Sequence, residues 1–185
     1  MLKRTAATLL VLLWVCGLLL AVDPPGVWID VPFVKQDKEA CGAASIAMVM
    51  QYWSRQQSRP EDDSADAIRI QQVLYSAGGR GIYSSDMERY FWQHGFRTFA
   101  IRGQWMDLRQ QLEKGRPLIV ALKPASGGAV LHYVVVTGLD WKQNLVLVND
   151  PAQRKLLKQD RSTFEREWSA AGKWTLLAVP LTDAR

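Results

Sequence analysis

Cysteine is nearly absent from this chain of 185 residues, which holds only Cys16 and Cys41. Cys16 falls inside an apolar leader stretch, so the remainder contains Cys41 alone and can form no internal disulfide. Histidine is equally scarce, with His94 and His132 only. One cysteine and two histidines are too small a donor set for a Cys/His metal site. No basic run and no interleaving of Arg with aromatics occurs, which removes support for nucleic-acid binding. The loop Gly78-Gly79-Arg80-Gly81 has neither a preceding apolar strand nor a following Lys-Ser/Thr, so it is not expected to cradle a phosphate. Internal repeats and low-complexity linkers are missing as well.

What is present is ordinary globular composition: 48% hydrophobic and 22% charged residues, with eight Trp, five Tyr and five Phe. The length suits one domain with a well-filled aromatic core, plus a targeting segment. That segment is Met1 to Val22: Lys3 and Arg4 precede a stretch from Ala6 to Val22 that only Thr8 and Gly17 interrupt, and Asp23-Pro24-Pro25-Gly26 ends any helix. Leu19-Leu20-Ala21 fits a small-x-small cleavage site poorly, which leaves a cleaved signal peptide and a retained membrane anchor both open. Trp14 and Val15 are bulky where a lipoprotein signal before Cys16 wants small residues. The expectation is residues 1–22 as signal peptide or anchor, residues 27–182 as the folded domain, and a periplasmic or membrane-held location facing away from the cytoplasm. Setting Lys3 and Arg4 aside takes 23 basic residues to 21 against 18 acidic ones, a weak positive excess.

Apolar periodicity divides the chain into two halves. Val27–Pro32 reads as a short edge strand ended by its proline. Cys41–Trp53 reads as a helix, with Ile46, Val49, Met50 and Trp53 on one face. A second helix is expected over about Ser64–Tyr75, and a third is expected to open on a Ser85/Glu88 capping box and stop at Gly95. Phe96–Ile101 is a strand and Trp105–Lys114 a helix. Short β-rich runs follow at Leu118–Leu122, Leu131–Leu139, Leu145–Val148 and Trp174–Pro180, with Asp140–Asn144 as a hairpin turn. Ser162 and Glu165 suggest a further capping box before Trp168. Helices first and antiparallel strands second make the fold class α+β.

Three residues have the makings of a nucleophilic site. Cys41 sits in the first turn of its helix, where free N–H groups and the helix dipole favour a thiolate. Gly42, Ala43 and Ala44 let other elements approach that turn closely. Gln36, five residues earlier, lies in a loop able to bring its amide toward the Cys41 N–H, and two such donors make an oxyanion hole. A small buried hydrophobe beginning a core helix is the competing account of Cys41. His132 opens one apolar strand, on the face of Val134 and Val136, and Asp150 closes the next. If the two strands form a hairpin, Asp150 or Asn149 comes near His132 as a base-orienting residue must. Pro151 would hold the Asp150 backbone extended. His94 is better explained as a cation complementing the end of its helix. Glu61-Asp62-Asp63 fits a solvated helix start, and Trp105, Trp141, Trp168 and Trp174 fit core or rim positions.

The sequence resembles the C39 peptidases, papain-like enzymes known for processing bacteriocin leaders. The resemblance rests on Gln36-Asp37-Lys38-Glu39-Ala40-Cys41-Gly42-Ala43-Ala44-Ser45-Ile46-Ala47-Met48, on Leu131-His132-Tyr133-Val134-Val135-Val136-Thr137-Gly138 and on Val148-Asn149-Asp150-Pro151. Gly95-Phe96 and Leu112–Val120 fit the same pattern, so the likeness runs over about residues 31 to 152. It implies a papain-like fold with a nucleophile helix packed on an antiparallel sheet. It also implies Gln36 as oxyanion donor, Cys41 as nucleophile, His132 as base and Asp150 as its orienter. The reaction implied is peptide-bond hydrolysis through an acyl-thioester, after paired small residues such as Gly-Gly, with no metal or organic cofactor. Transporter-fused members carry membrane and ATPase parts. No Walker-type Gly-Lys-Ser/Thr occurs here, so a standalone domain is expected, with a peptide or protein substrate and any export system as a separate partner. Two rival readings keep the same scaffold: an amidase or acyltransferase on peptide or cell-wall amides, and a non-catalytic peptide-binding module.

Overall fold

The computed structural model describes residues 25–60, 62–124 and 131–181. The expectations for residues 1–22, and for the glycine-rich stretch before Leu131, lie outside the described residues. The strands are β1 (Gly26–Trp28), β2 (Phe96–Arg102), β3 (Leu118–Leu122), β4 (His132–Asp140), β5 (Leu145–Asn149), β6 (Leu157–Asp160) and β7 (Trp174–Pro180). The helices are α1 (Cys41–Gln56), α2 (Ala67–Leu74), α3 (Ser84–Gln93), α4 (Trp105–Glu113) and α5 (Arg161–Ala170). Every pairing is antiparallel, in the order β2-β7-β3-β4-β5-β6, and β1 lies along the second half of β4. The α+β expectation therefore holds, with helices mostly early and the sheet mostly late.

Side-chain alternation along the strands makes two cores, one on each face of the sheet. Tyr133 and Val135 of β4, Ile119 and Ala121 of β3 and Leu176 and Ala178 of β7 meet Ile46, Val49 and Met50 of α1 with Phe91 of α3. Val134 and Val136, Val120 and Val148 face the other way, onto Leu108 and Leu112 of α4 and onto Phe164 and Trp168 of α5. The early helices thus cover one face and the two later ones the other. The far end of α1 is fastened to the sheet side as well: Trp53 Nε1 donates to Ala178 O at 3.0 Å and Tyr52 Oη donates to Gly115 O at 2.6 Å.

Several local expectations are corrected. The helix expected over 64–75 is a 3₁₀ turn, Asp63–Ala65, followed by α2. Asp66 separates them, because its extended backbone and its side chain, which accepts from the Arg69 N–H, cap α2. α3 begins at Ser84 with Tyr83 as its N-cap and has no side-chain cap, so the Ser85/Glu88 box does not form. α5 is capped by Asp160, which accepts from the Ser162 N–H, while Glu165 pairs with Arg161 instead of closing a box. α4 does have a reciprocal box, between Gln104 and Asp107. β6 was not foreseen, and the first strand stops at Trp28 where Ile29–Pro32 was expected to continue it.

The stretch after β1 is fastened differently. Asn149 is fully buried, its Nδ2 donating to Val31 O (3.1 Å) and Pro32 O (3.2 Å) while its Oδ1 accepts from the Leu156 N–H (3.0 Å). Asn149 is therefore a structural clasp that holds the chain leading to Cys41 against the end of β5. Replacing Asn149 by Ala would strand two buried carbonyls and a part-buried N–H, and the expected loss of stability is about 3 kcal/mol in urea unfolding. A loss below about 1 kcal/mol would mean that this segment is held by other contacts.

Candidate active site

α1 begins at Cys41 itself, on an N-cap residue, Ala40, that offers no side-chain cap. The backbone N–H groups of that first turn therefore have no capping side chain and carry the positive end of the helix dipole beside the thiol. Gly42 lets the helix start pack closely here, since a Cβ at that position would lie 3.0 Å from Met87 Cε and 3.1 Å from Ile82 Cβ. This is the close packing anticipated from the small residues after Cys41.

The β4–β5 hairpin does what its turn suggested. Asp140 Oδ1 accepts from the Gln143 N–H, Asn144 takes the left-handed conformation with φ of 57°, and the strands pair back to Val135 opposite Asn149. That register carries Asp150 to the beginning of β4, where His132 Nε2–H donates to Asp150 Oδ1 at 2.8 Å. Of the two residues considered for this position, Asp150 is the one that meets the imidazole, since Asn149 faces the Val31–Pro32 backbone. With Nε2 engaged, Nδ1 is the nitrogen left for the Cys41 thiol, which hydrogen-bonds the same ring. Cys41, His132 and Asp150 are thus brought together from a helix start, a strand start and a strand end.

Electrostatics follow from this arrangement. Burial of the His132 side chain, which is 21% exposed, disfavours its charged form. The hydrogen bonds to Asp150 and then to Cys41 outweigh that and raise the imidazole to about 9. For Asp150, burial pushes the carboxyl up, but its bond to His132, the Ala152 N–H on Oδ1 (2.9 Å) and the Gln153 amide on Oδ2 (2.7 Å) together hold it below the ordinary carboxylate range. Gln153 was missed in the sequence. An Asp-Pro-x-Gln turn, with the fourth side chain able to fold back on the first, is the only signal that could have found it. Tyr133 is pushed up to about 12 by burial, with negative charge at Cys41 adding to the effect, so its hydroxyl stays neutral.

Gln36 belongs to the same neighbourhood through its backbone, whose N–H donates to Pro151 O at 2.9 Å. Its side-chain Oε1 is buried without a hydrogen-bond partner among the described residues. Beside the thiol lies a cleft of about 460 Å³, lined by Cys41, Leu131, Tyr133 and the segment Gly78–Ser84. The glycine loop is therefore a wall of this cleft. Trp174 backs Tyr133, with ring centroids 5.4 Å apart. His94 caps α3, its Nδ1 lying 2.7 Å from Tyr90 O, far in the fold from this site. Among the described residues, no group of three or more His, Cys, Asp and Glu side chains is arranged to hold a metal ion, and no helix is long and apolar enough to cross a membrane.

The family model described as Peptidase_C39 like family matches residues 28–176. Among solved structures, the peptidase domain of Streptococcus ComA, a bi-functional ABC transporter involved in a quorum-sensing pathway, is 21% identical over 82% of this chain and 99% of its own, with a TM-score of 0.62. A double glycine motif protease from an AMS/PCAT transporter, solved in complex with the leader peptide, is 20% identical over 83% of this chain and 94% of its own, with a TM-score of 0.63. Likeness at this identity shows a shared papain-like fold. No curated protein sequence matches the chain.

The raised imidazole is directly measurable. His132 is expected to titrate in an NMR pH series near 9, well above the ordinary value of about 6.5, and to fall by more than about one unit in Asp150→Asn. A folded-state value above the unfolded one stabilises the protein at pH below the unfolded value, and that stabilisation is lost as pH rises through about 9. A midpoint at or below about 7 in the wild type would refute this electrostatic account.

Proposed function

We propose that this chain, which belongs to the Peptidase_C39 like family, is a cysteine peptidase whose working residues are Cys41, His132, Asp150 and Gln36. One observation carries the reading: His132 is held by a buried carboxylate on one nitrogen and reaches the thiol at the helix start with the other. A non-catalytic scaffold has no need of a charged imidazole sandwiched between those two groups.

In the resting site His132 carries its proton at neutral pH, which supports a thiolate–imidazolium pair. The Sγ electron pair attacks the scissile carbonyl carbon, and negative charge moves to the carbonyl oxygen. The Cys41 N–H and the Gln36 amide receive that charge. The C–N bond then breaks as His132 Nδ1 gives its proton to the leaving amine, leaving an acyl-thioester on Cys41. His132, now neutral, takes a proton from water, and the water oxygen attacks the thioester. Release of the acid restores the pair. Asp150 keeps the ring in one tautomer and orientation throughout, and Gln153 keeps the carboxylate aimed.

The substrate follows from the cleft and from the relatives. The cleft beside the thiol is crowded by Ile82, Tyr83, Leu131 and Tyr133 as well as walled by Gly78, Gly79 and Gly81, which suits small residues such as a Gly-Gly pair on the acyl side of the cut. The related protease named for a double glycine motif supports the same choice. Lys3, Arg4 and the apolar run Ala6–Val22 support export, so the substrate is expected to be met outside the cytoplasm.

Incubating the full chain with peptides that carry Gly-Gly before a reporter amine is expected to release the amine after the second glycine. Cys41→Ala and His132→Ala should each lower kcat/KM by about 10³-fold or more, and Gln36→Ala by about 10²-fold. Added hydroxylamine should trap the thioester as a hydroxamate; transfer to amines in preference to water would mark an acyltransferase instead. Absence of any cleavage with the thiol still alkylating rapidly would sink the peptidase assignment. Gln153→Leu is expected to lower kcat about tenfold with little change in KM, and to move the alkaline limb of the rate profile down from about 9. An unmoved limb would remove Gln153 from the positioning chain.

A further inference from the structure

The residue two before the nucleophile is built into the fold in a way that the chemistry above does not use. Glu39 adopts a left-handed backbone conformation with φ of 57°, a costly choice for a side chain with a Cβ. Its carboxylate accepts from Tyr75 Oη at 2.6 Å through Oε2, and from Arg80 Nε at 3.1 Å and Nη2 at 3.0 Å through Oε1. Its carbonyl oxygen accepts from Gln71 Nε2 at 3.4 Å. Three elements, the end of α2, the chain just after it and the glycine loop, therefore converge on one residue of the turn that delivers Cys41. The hydrogen bonds from Tyr75 first and Arg80 next hold the Glu39 carboxyl below its ordinary range.

Arg80 stands in the middle of the loop that lines the Cys41 cleft. Apart from that ion pair the loop is closed mainly on itself: the two backbone bonds of the Ser76–Gly81 bridge (2.8 and 3.2 Å), Arg80 N–H to Ala77 O at 3.3 Å, Gly79 N–H to Ser76 Oγ at 3.3 Å, and the Tyr83 ring filling the space where a Gly79 side chain would go. These ties shape the loop without fixing it to the turn before Cys41, and its glycines leave it free to tilt as a unit. The ion pair to Glu39 removes that freedom and couples the wall of the cleft to the backbone of the nucleophile turn.

We propose that Glu39, with Tyr75 and Arg80, is a positioning residue that latches the Gly78–Gly81 wall beside Cys41 and so sets how large a group can reach the thiol. The proposal rests on the reading of Cys41 as a nucleophile. Cutting the latch lets the wall swing outward, so bulky groups gain access relative to small ones. The same device explains why the strained turn is kept, since the left-handed residue aims the carboxylate at the loop.

The test uses the full chain and two thiol probes, iodoacetamide and the bulkier N-phenylmaleimide, with modification of Cys41 read by mass spectrometry of its own peptide. In Glu39→Gln the ratio of bulky to small labelling rates is expected to rise about fivefold, the size an exposed ion-pair network can supply, with a smaller rise in Tyr75→Phe. In the wild type the ratio should also climb as salt is raised from about 0.02 M to about 1 M, because the Arg80 side chain is 67% exposed and its pair is screened. Glu39→Gln should lose that salt dependence, a signature that general destabilisation does not produce. A ratio within twofold of wild type in Glu39→Gln, or an unchanged salt dependence in that variant, overturns the latch. Slow iodoacetamide labelling that His132→Ala leaves unaltered would sink the nucleophile reading separately, whatever the ratio does.

Discussion

Antiparallel pairing between β4 and β5 is the constraint on which the site depends. A two-stranded hairpin with a tight connection brings the end of its second strand beside the beginning of its first. Here that places a carboxylate 2.8 Å from an imidazole although eighteen positions separate them. The pairing is strongly specified, because residues 133–136 of β4 are buried and face two different cores in alternation, and after the irregularity between Val136 and Gly138 Leu139 joins the core of Val134 and Val136. A slip by one residue would exchange those cores and carry the apolar set of each face to the other. His132 therefore inherits its position from packing that it does not take part in. By strand parity it belongs with Val134 and Val136, but as the strand's first residue it lies beyond that core and turns to Asp150 and Cys41 instead.

The other half of the site is organised by an omission. Most helices carry a Ser, Thr, Asp or Asn at the N-cap to satisfy their first N–H groups, as α2 and α5 do through Asp66 and Asp160. α1 has Ala40 there. A carboxylate or hydroxyl at that position would occupy the donors and the positive dipole end that here lie open beside the Cys41 side chain. The stability forgone at this cap is offset at the other end and along the flank of the helix, through Trp53, Tyr52 and the buried face from Ala43 to Met50.

Much of this was legible in the chain, and the boundary of legibility has a physical form. The helix from Cys41, the hairpin and the two strand-end residues follow from apolar spacing and local turn chemistry, which a sequence states directly. β6 was invisible because Leu157-Lys158-Gln159-Asp160 has too few apolar residues to show a period; it exists because β5 offers it an unpaired edge. The Ser85 and Ser162 boxes failed because neighbouring residues, Ser84 at the start of α3 and Asp160 before α5, took the first helical or capping position. Hairpin geometry alone left Asn149 and Asp150 both open, the family resemblance pointed to Asp150, and the register of β5 places Asp150 on the histidine. Glu39 and Arg80 lie 41 positions apart, and no local pattern links them.

These distinctions bear on how one papain-like scaffold separates holding its shape from doing chemistry. The later helices close the outer face with aromatic groups under cations, Arg161 over Trp105 at 3.9 Å and Lys173 over Trp168 at 5.4 Å, far from the thiol. Around Cys41 several strained or polar features meet: the left-handed Glu39 and Arg80, the uncapped helix start, the buried carboxylate with three hydrogen bonds, and the glycine wall. Strain and buried charge persist only where surrounding packing over-determines them. A sheet pinned from both sides supplies that over-determination, because β4 cannot move toward either core without displacing the other. The charged imidazole can consequently be kept in a partly dry site at neutral pH, where an isolated histidine would lose its proton to burial. The sheet's double packing is thus a condition of the electrostatics that hold the proton on His132.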